Sequence, residues 1–213
     1  MNLLEAIKEL REKSPKRNFK QNFDLVINLK EVNLKTNPID LSIVLPHPPR
    51  KKTRICAFVD KELFVAAKTI FDTTIPKEDF SKWKDKKKIK HLEREHNFFV
   101  AQGTLMVEIA TIFGRILGPK NKMPNPKANT ILPPKEDALK PSHERLQKTC
   151  RVIAKLEPII KCTVGHEDMP DKEISENLTT LYNALVHILP EEKKSVSNIL
   201  LKLTMSPPIK LEL

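Results

Sequence analysis

Gly114-Arg-Ile-Leu-Gly-Pro-Lys-Asn-Lys-Met-Pro-Asn-Pro-Lys-Ala128 gathers two of the chain's four glycines, three prolines and four cations into fifteen residues. It closes an apolar run, Leu105, Met106, Ile109, Ile112, Phe113, Ile116 and Leu117, whose spacing predicts a buried helix that Gly118-Pro119 then stops. Pro119, Pro124 and Pro126 leave the loop beyond with little entropy to lose and no means of joining a sheet. Arg115, Lys120, Lys122 and Lys127 make it either a seat for a polyanion or a solvated loop that merely ends a helix. A nucleotide-binding phosphate loop fits poorly, because G-x-x-x-x-G-K-[ST] needs its lysine directly after the glycine, where Pro119 stands and offers no N–H.

Around this stretch, short apolar strands alternate with helices: strand at 54–59, helix at 61–71, strand at 97–101, helix at 105–117. That order predicts a parallel sheet covered by helices, of the doubly wound, Rossmann-like α/β kind. Residues 77–96 form a charged helical segment with Phe80, Trp83, Ile89 and Leu92 as its apolar positions. Its run Lys82, Lys84, Lys86, Lys87, Lys88, Lys90 admits two readings, a track for phosphates or a solvated helix face interleaved with Asp85, Glu93 and Glu95.

Farther out the pattern changes. Leu3, Leu4, Ile7 and Leu10 predict an opening helix ended at Pro15; residues 22–29 and the alternation Ile39, Leu41, Ile43, Leu45 predict two half-buried strands. Pro46-His-Pro-Pro-Arg-Lys-Lys52 breaks the pattern and marks a boundary. After Pro133-Pro134 and a helix at 135–148, strands at 151–155 and 159–164 flank a turn at Leu156-Glu157-Pro158. A long helix over 171–189 follows, with Asp168 or Asp171 as its cap and Pro170 at its start, and then a last strand, Val196–Leu203. Residues 1–49 with 150–213 therefore predict a discontinuous α+β domain, two helices on one face of a split antiparallel sheet, into which residues 50–149 are inserted.

Charge follows the same division. The chain carries 38 Lys+Arg against 27 Asp+Glu, a formal charge of +11, and residues 50–149 hold 22 of those cations against 12 acids. Such an excess points to a polyanionic partner, nucleic acid first. No apolar run reaches the roughly eighteen residues that would span a bilayer, so the expectation is a cytoplasmic protein with no membrane partner. Cys56, Cys150 and Cys162 form no C-x-x-C pair and read as buried small hydrophobes rather than as metal ligands. Six scattered histidines and the absence of G-x-S-x-G, H-E-x-x-H or G-x-G-x-x-G argue against catalysis and against any cofactor.

The stretch 114–128 resembles the signature loop of the L-one family of large-subunit ribosomal proteins, and four more constellations resemble the same family in order along the chain. Arg17-Asn18-Phe19 lies between helix and strand, where a guanidinium, an amide and an exposed ring engage RNA; core packing of Phe19 is the alternative. Leu45-Pro46-His47 resembles the family's L-P-H, with Pro48-Pro49 standing where relatives carry glycine. Val164-Gly165-His166-Glu167-Asp168-Met169 resembles V-G-x-E-x-M, with Gly165 expected at positive φ, His166 expected to reach RNA and the acids expected to cap the helix. Thr204-Met205-Ser206-Pro207 resembles T-M-G-P, with Ser206 at a glycine position. Lys202 and Thr204 share the face opposite Ile199, Leu201 and Leu203, which puts them outside.

The resemblance, of archaeal type, implies a structural constituent of the large ribosomal subunit that binds stalk rRNA and other ribosomal components. It also implies help to exit-site tRNA leaving the ribosome, and translational repression through binding to its own mRNA. Specific contacts would come from the outer domain and unspecific attraction from Arg115, Gly118, Lys120 and Lys122. Two rivals are a non-ribosomal RNA-binding protein of the same fold and a nucleotide-binding enzyme built on the parallel sheet.

Overall fold

The computed structural model describes every residue except 1–2, 31, 33, 35–37, 51, 84, 156, 190–191 and 212–213. Packing divides the chain into two compact units, Met1–Lys51 with Lys148–Leu213, and Lys52–Gln147. The first contains α1 (Leu3–Lys13), β1 (Asn22–Leu29), β2 (Ile39–Val44), β7 (Thr149–Ala154), β8 (Ile159–His166), α6 (Asp171–Val186), β9 (Val196–Leu203) and β10 (Ile209–Leu211). The second contains β3 (Ile55–Val59), α2 (Lys61–Ile70), β4 (Thr73–Pro76), α3 (Lys86–Glu95), β5 (Phe98–Gln102), α4 (Met106–Leu117), β6 (Ile131–Leu132) and α5 (Leu139–Lys148, its last residue belonging to the first unit).

In the first unit, alternation along β1 buries Phe23, Leu25, Ile27 and Leu29 and turns the intervening residues outward. β1 lies between β8 and β9, antiparallel to both, in a sheet ordered β10-β9-β1-β8, and β2 pairs with β7 in a separate two-stranded sheet. Their buried side chains share one core with Ala6, Ile7 and Leu10 of α1 and Ile174, Leu178, Leu181 and Leu185 of α6. The turn after β7 therefore carries the chain between sheets instead of closing a hairpin; Leu156 lies outside the described residues.

In the second unit, β3 is buried on both faces, as a strand covered by helices must be. Cys56 and Phe58 pack with Phe80, Ile89, Phe99, Ile109 and Phe113, whereas Ile55, Ala57 and Val59 pack with Leu63, Ala67, Leu139 and Leu146. The sheet, ordered β4-β3-β5-β6, is parallel throughout. The mixed α/β fold expected from the sequence is thus present. Phe58 meets Phe113 with ring centroids 4.8 Å apart, and Phe80 meets Phe113 edge-on at 5.7 Å. All three cysteines are buried, and burial pushes the Cys56 thiol far above its ordinary range.

Three expectations need correction. The segment 77–96 is not one helix: a 3-10 turn spans Lys77–Trp83, and α3 starts only after Asp85, whose carboxylate accepts from Lys87 N at 2.8 Å. That cap is a local alternative to a continuing helix, and it wins; Lys84 lies outside the described residues. Neither Asp168 nor Asp171 caps α6; Pro170 precedes it without a side-chain cap, since Asp171 accepts from Arg11 Nε at 2.8 Å and Asp168 pairs with Lys20 at 2.8 Å. Gly165 is not at positive φ. Gly118 ends α4 as the sequence predicts, in the right-handed region at φ −58°, and left-handed backbone follows at Asn121, φ 55°. A Cβ at Gly118 would lie 2.7 Å from Gly114 O, so crowding against the last helical turn calls for glycine there. β4, β6 and β10 are additional short edge strands, with too few residues to show an alternation.

Candidate nucleic-acid interface

The junction that organises the first unit's surface is built around Gln21, which is 1% exposed. Its N–H donates to Glu167 Oε2 at 3.0 Å, and its carbonyl accepts from Glu167 N at 2.9 Å. Its side-chain Oε1 accepts from Met205 N at 3.1 Å. One step on, Asn22 N donates to Thr204 Oγ1 at 3.1 Å and Thr204 N returns a bond to Asn22 O at 3.1 Å. These bonds draw the loop before β1, the β8–α6 turn and the end of β9 to one place.

Arg11 fixes the same turn from α1. Its Nε donates to Asp171, and its two terminal nitrogens donate to the carbonyls of Glu167 and Met169, both at 2.6 Å. The guanidinium also lies over the Phe23 ring, 5.2 Å from its centroid. A planar fork satisfies three acceptors at once, so the turn is held rigidly at small entropic cost.

On this frame stand two exposed apolar side chains, Phe19 at 50% and Met205 at 56%, with exposed Arg17 and Asn18 beside Phe19 in the chain. Phe19 therefore does not pack in the core. Lys20 is exposed, and its ammonium is held protonated above its usual range by its hydrogen bond to Asp168. His166 is half-buried opposite Asn22 in register, and its Nδ1 is buried with no hydrogen-bond partner among the described residues. Lys202 is half-buried opposite Asp24 on the sheet's outer face, as the alternation required.

Three other candidates serve the frame. Ser206 is buried, with its Oγ accepting from Leu203 N at 2.8 Å, so its hydroxyl closes the turn instead of facing outward. Gly165 is buried, and a Cβ there would meet Ile174 Cγ1 at 3.0 Å and Met169 Sδ at 3.4 Å, so glycine lets α6 approach β8 closely. His47 engages α6: its N–H donates to Asn177 Oδ1 at 3.1 Å, and its Nε2 donates to Glu176 Oε2 at 2.7 Å.

In the second unit Arg115, Gly118 and Lys120 are exposed. Lys122 is not available to a ligand. Its ammonium donates to the carbonyls of Glu93 at 2.6 Å and His96 at 2.9 Å and pairs with Glu93 Oε1 at 2.9 Å. It neutralises a buried carboxylate and closes the end of α3. Lys122→Met leaves Glu93 buried and unpaired, so unfolding stability of this unit should fall by about 2 kcal/mol while RNA affinity stays within twofold. Urea titration and filter binding read the two separately.

Local hydrogen bonds shape the loop from 118 to 130. Asn125 caps a 3-10 turn at Pro126–Ala128, Asn129 takes φ 52°, and Asn125 N donates to Thr130 Oγ1 at 2.8 Å.

A model of the Ribosomal protein L1p/L10e family matches residues 10–207. The chain belongs to that family. It is 40% identical to large ribosomal subunit protein uL1 of Nanoarchaeum equitans, over 97% of this chain and 98% of the relative. It is 34% identical to the protein of that name from Thermococcus kodakarensis, over 99% and 96%, and 34% identical to that of Methanobrevibacter smithii, over 98% and 97%. These relatives are named as ribosomal proteins and not as enzymes.

The span matched by the L1p/L10e family includes Arg11 and Gln21, two residues that sequence reasoning missed. Arg11 follows Ile7 by one helical turn, on the edge of the apolar stripe of α1, and a cation at that position is the signal that would have marked it as packed against something. Gln21 gives no such signal, since its partners are residues 167 and 205. Among the described residues no group of His, Cys, Asp and Glu is placed to hold a metal ion, and no helix is long and apolar enough to cross a membrane.

Proposed function

We propose that this chain is a structural constituent of the large ribosomal subunit in the cytoplasmic ribosome, binding stalk rRNA through the surface around Gln21. The observation that carries this reading is the convergence of Phe19, His166 and Met205, from three distant parts of the sequence, on a frame of buried hydrogen bonds. Solvent-exposed apolar side chains on rigid turns suit stacking against unpaired bases and sugars, which is how folded RNA is distinguished from plain duplex. Arg17, Asn18, Lys202 and Thr204 supply polar contacts at the rim. The L1p/L10e relatives, named as large-subunit proteins, favour this reading over a non-ribosomal role.

The same surface would accept any RNA that reproduces the stalk fold, which extends the proposal to the protein's own mRNA as a translational repressor. Contact with exit-site tRNA during its release belongs to the same proposal. Arg115 and Lys120 of the second unit would add attraction without reading sequence.

Filter binding with the stalk rRNA fragment and an unrelated duplex of equal length tests the division. Met205→Ala should weaken the stalk complex about tenfold and leave the duplex nearly unchanged. Lys120→Ala should weaken both alike and reduce the salt slope by about one unit. Equal behaviour of the two variants overturns the assignment.

A further inference from the structure

Helix α3 carries Lys86, Lys87, Lys88, Lys90 and Arg94, all exposed and none ion-paired to another described residue. Its acids are spent within the unit: Glu93 is buried against Lys122, and Glu95 Oε2 lies 3.3 Å from His91 Nδ1. Three lysines in the first turn also face the positive end of the helix macrodipole, which the N-cap carboxylate of Asp85 offsets in part.

Along this helix runs an open groove of about 390 Å³, lined by Trp83, Lys87, Lys88, His91, Leu92 and Glu95. Trp83 is half-buried; its ring lies near Phe113, centroids 6.2 Å apart, and the residue lines the groove with Leu92. The volume lies within the range of about 300–1,000 Å³ typical of sites that take a compact organic group. An apolar floor with an aromatic ring and a cationic rim is the pattern that holds single-stranded nucleic acid, a base on the ring and phosphates on the rim.

We propose that this groove is a second RNA site, taking a single-stranded segment with one unpaired base stacked on Trp83. Lys87 and Lys88 hold the adjoining phosphates, and Lys86, Lys90 and Arg94 extend the cationic track along the helix. An acidic peptide would satisfy the lysines but leave the indole and Leu92 wet, and a duplex offers no free base face. The site lies wholly within the second unit and is independent of the surface around Gln21.

Trp83 is the chain's only tryptophan, so its emission in the intact protein reports this groove alone. Oligoadenylate and oligouridylate octamers at low salt should quench it saturably, whereas polyphosphate and polyglutamate of equal charge should not. The double variant Lys87→Ala, Lys88→Ala should weaken octamer binding about tenfold and lower the salt slope by about 1.4, the single-strand value for two phosphate contacts. Trp83→Leu, followed by anisotropy of a labelled octamer, should weaken it about tenfold through lost stacking. Unchanged emission at saturating octamer overturns the proposal, as does octamer binding by the lysine variant equal to that of the unaltered protein. Equal quenching by polyglutamate would assign the groove to an acidic protein instead. Should Trp83→Leu fail to fold, the lysine pair, which is wholly on the surface, decides the matter.

Discussion

Asn177→Ala should lower the unfolding stability of the first unit by about 3 kcal/mol, a large share of what a domain of this size possesses. Asn177 sits on α6 with no exposed surface, and its side chain serves three backbone groups. Oδ1 accepts from His47 N at 3.1 Å, and Nδ2 donates to His47 O at 3.1 Å and to Val164 O at 2.8 Å. Alanine would strip partners from groups that water reaches poorly, and each such loss costs about 1–3 kcal/mol. Urea unfolding followed by far-UV circular dichroism measures the change. A loss below about 1 kcal/mol would mean that water enters and replaces the amide, and that the α6 contact with His47 is dispensable.

The second large effect is expected at Arg11. Arg11→Met keeps the aliphatic stem over Phe23 but removes every donor to Glu167 O, Met169 O and Asp171, and should cost about 2–3 kcal/mol. RNA affinity should fall about tenfold with it, because the same turn presents Glu167 to Gln21 and through it steadies Met205. Arg11→Lys should rescue little, since a single ammonium cannot reach three acceptors arranged for a planar fork. A lysine variant as stable and as tightly binding as the unaltered protein would show that charge, not the fork, is what Arg11 contributes.

The sequence reveals its strands and helices wherever burial imposes a period. β1, with every second residue in the core, and β9 fall where alternation places them, and β3 reads as a continuous apolar run because helices cover both its faces. Residues 77–96 mislead because helical spacing is present while Asp85 offers the backbone a competing partner, and spacing alone cannot register that competition.

At the candidate site, the exposed residues were legible through resemblance and the frame beneath them was not. Phe19 and Met205 lie in recognisable motifs, whereas the importance of Gln21 and Asn177 comes from partners that include backbone groups more than a hundred residues away. Lys122 shows the converse error. A lysine in a cationic loop reads as solvent-facing, yet a buried carboxylate on α3 captures it.

The position of β1 at the centre of its sheet has a further consequence during synthesis. Both of its neighbours are made late: β8 ends at His166 and β9 at Leu203. At about 5–20 residues per second, the nascent strand therefore waits on the order of ten to thirty seconds with two bare edges and an apolar face. Within that interval synthesis of the contiguous second unit, Lys52–Gln147, is completed before either neighbour of β1 has been made in full.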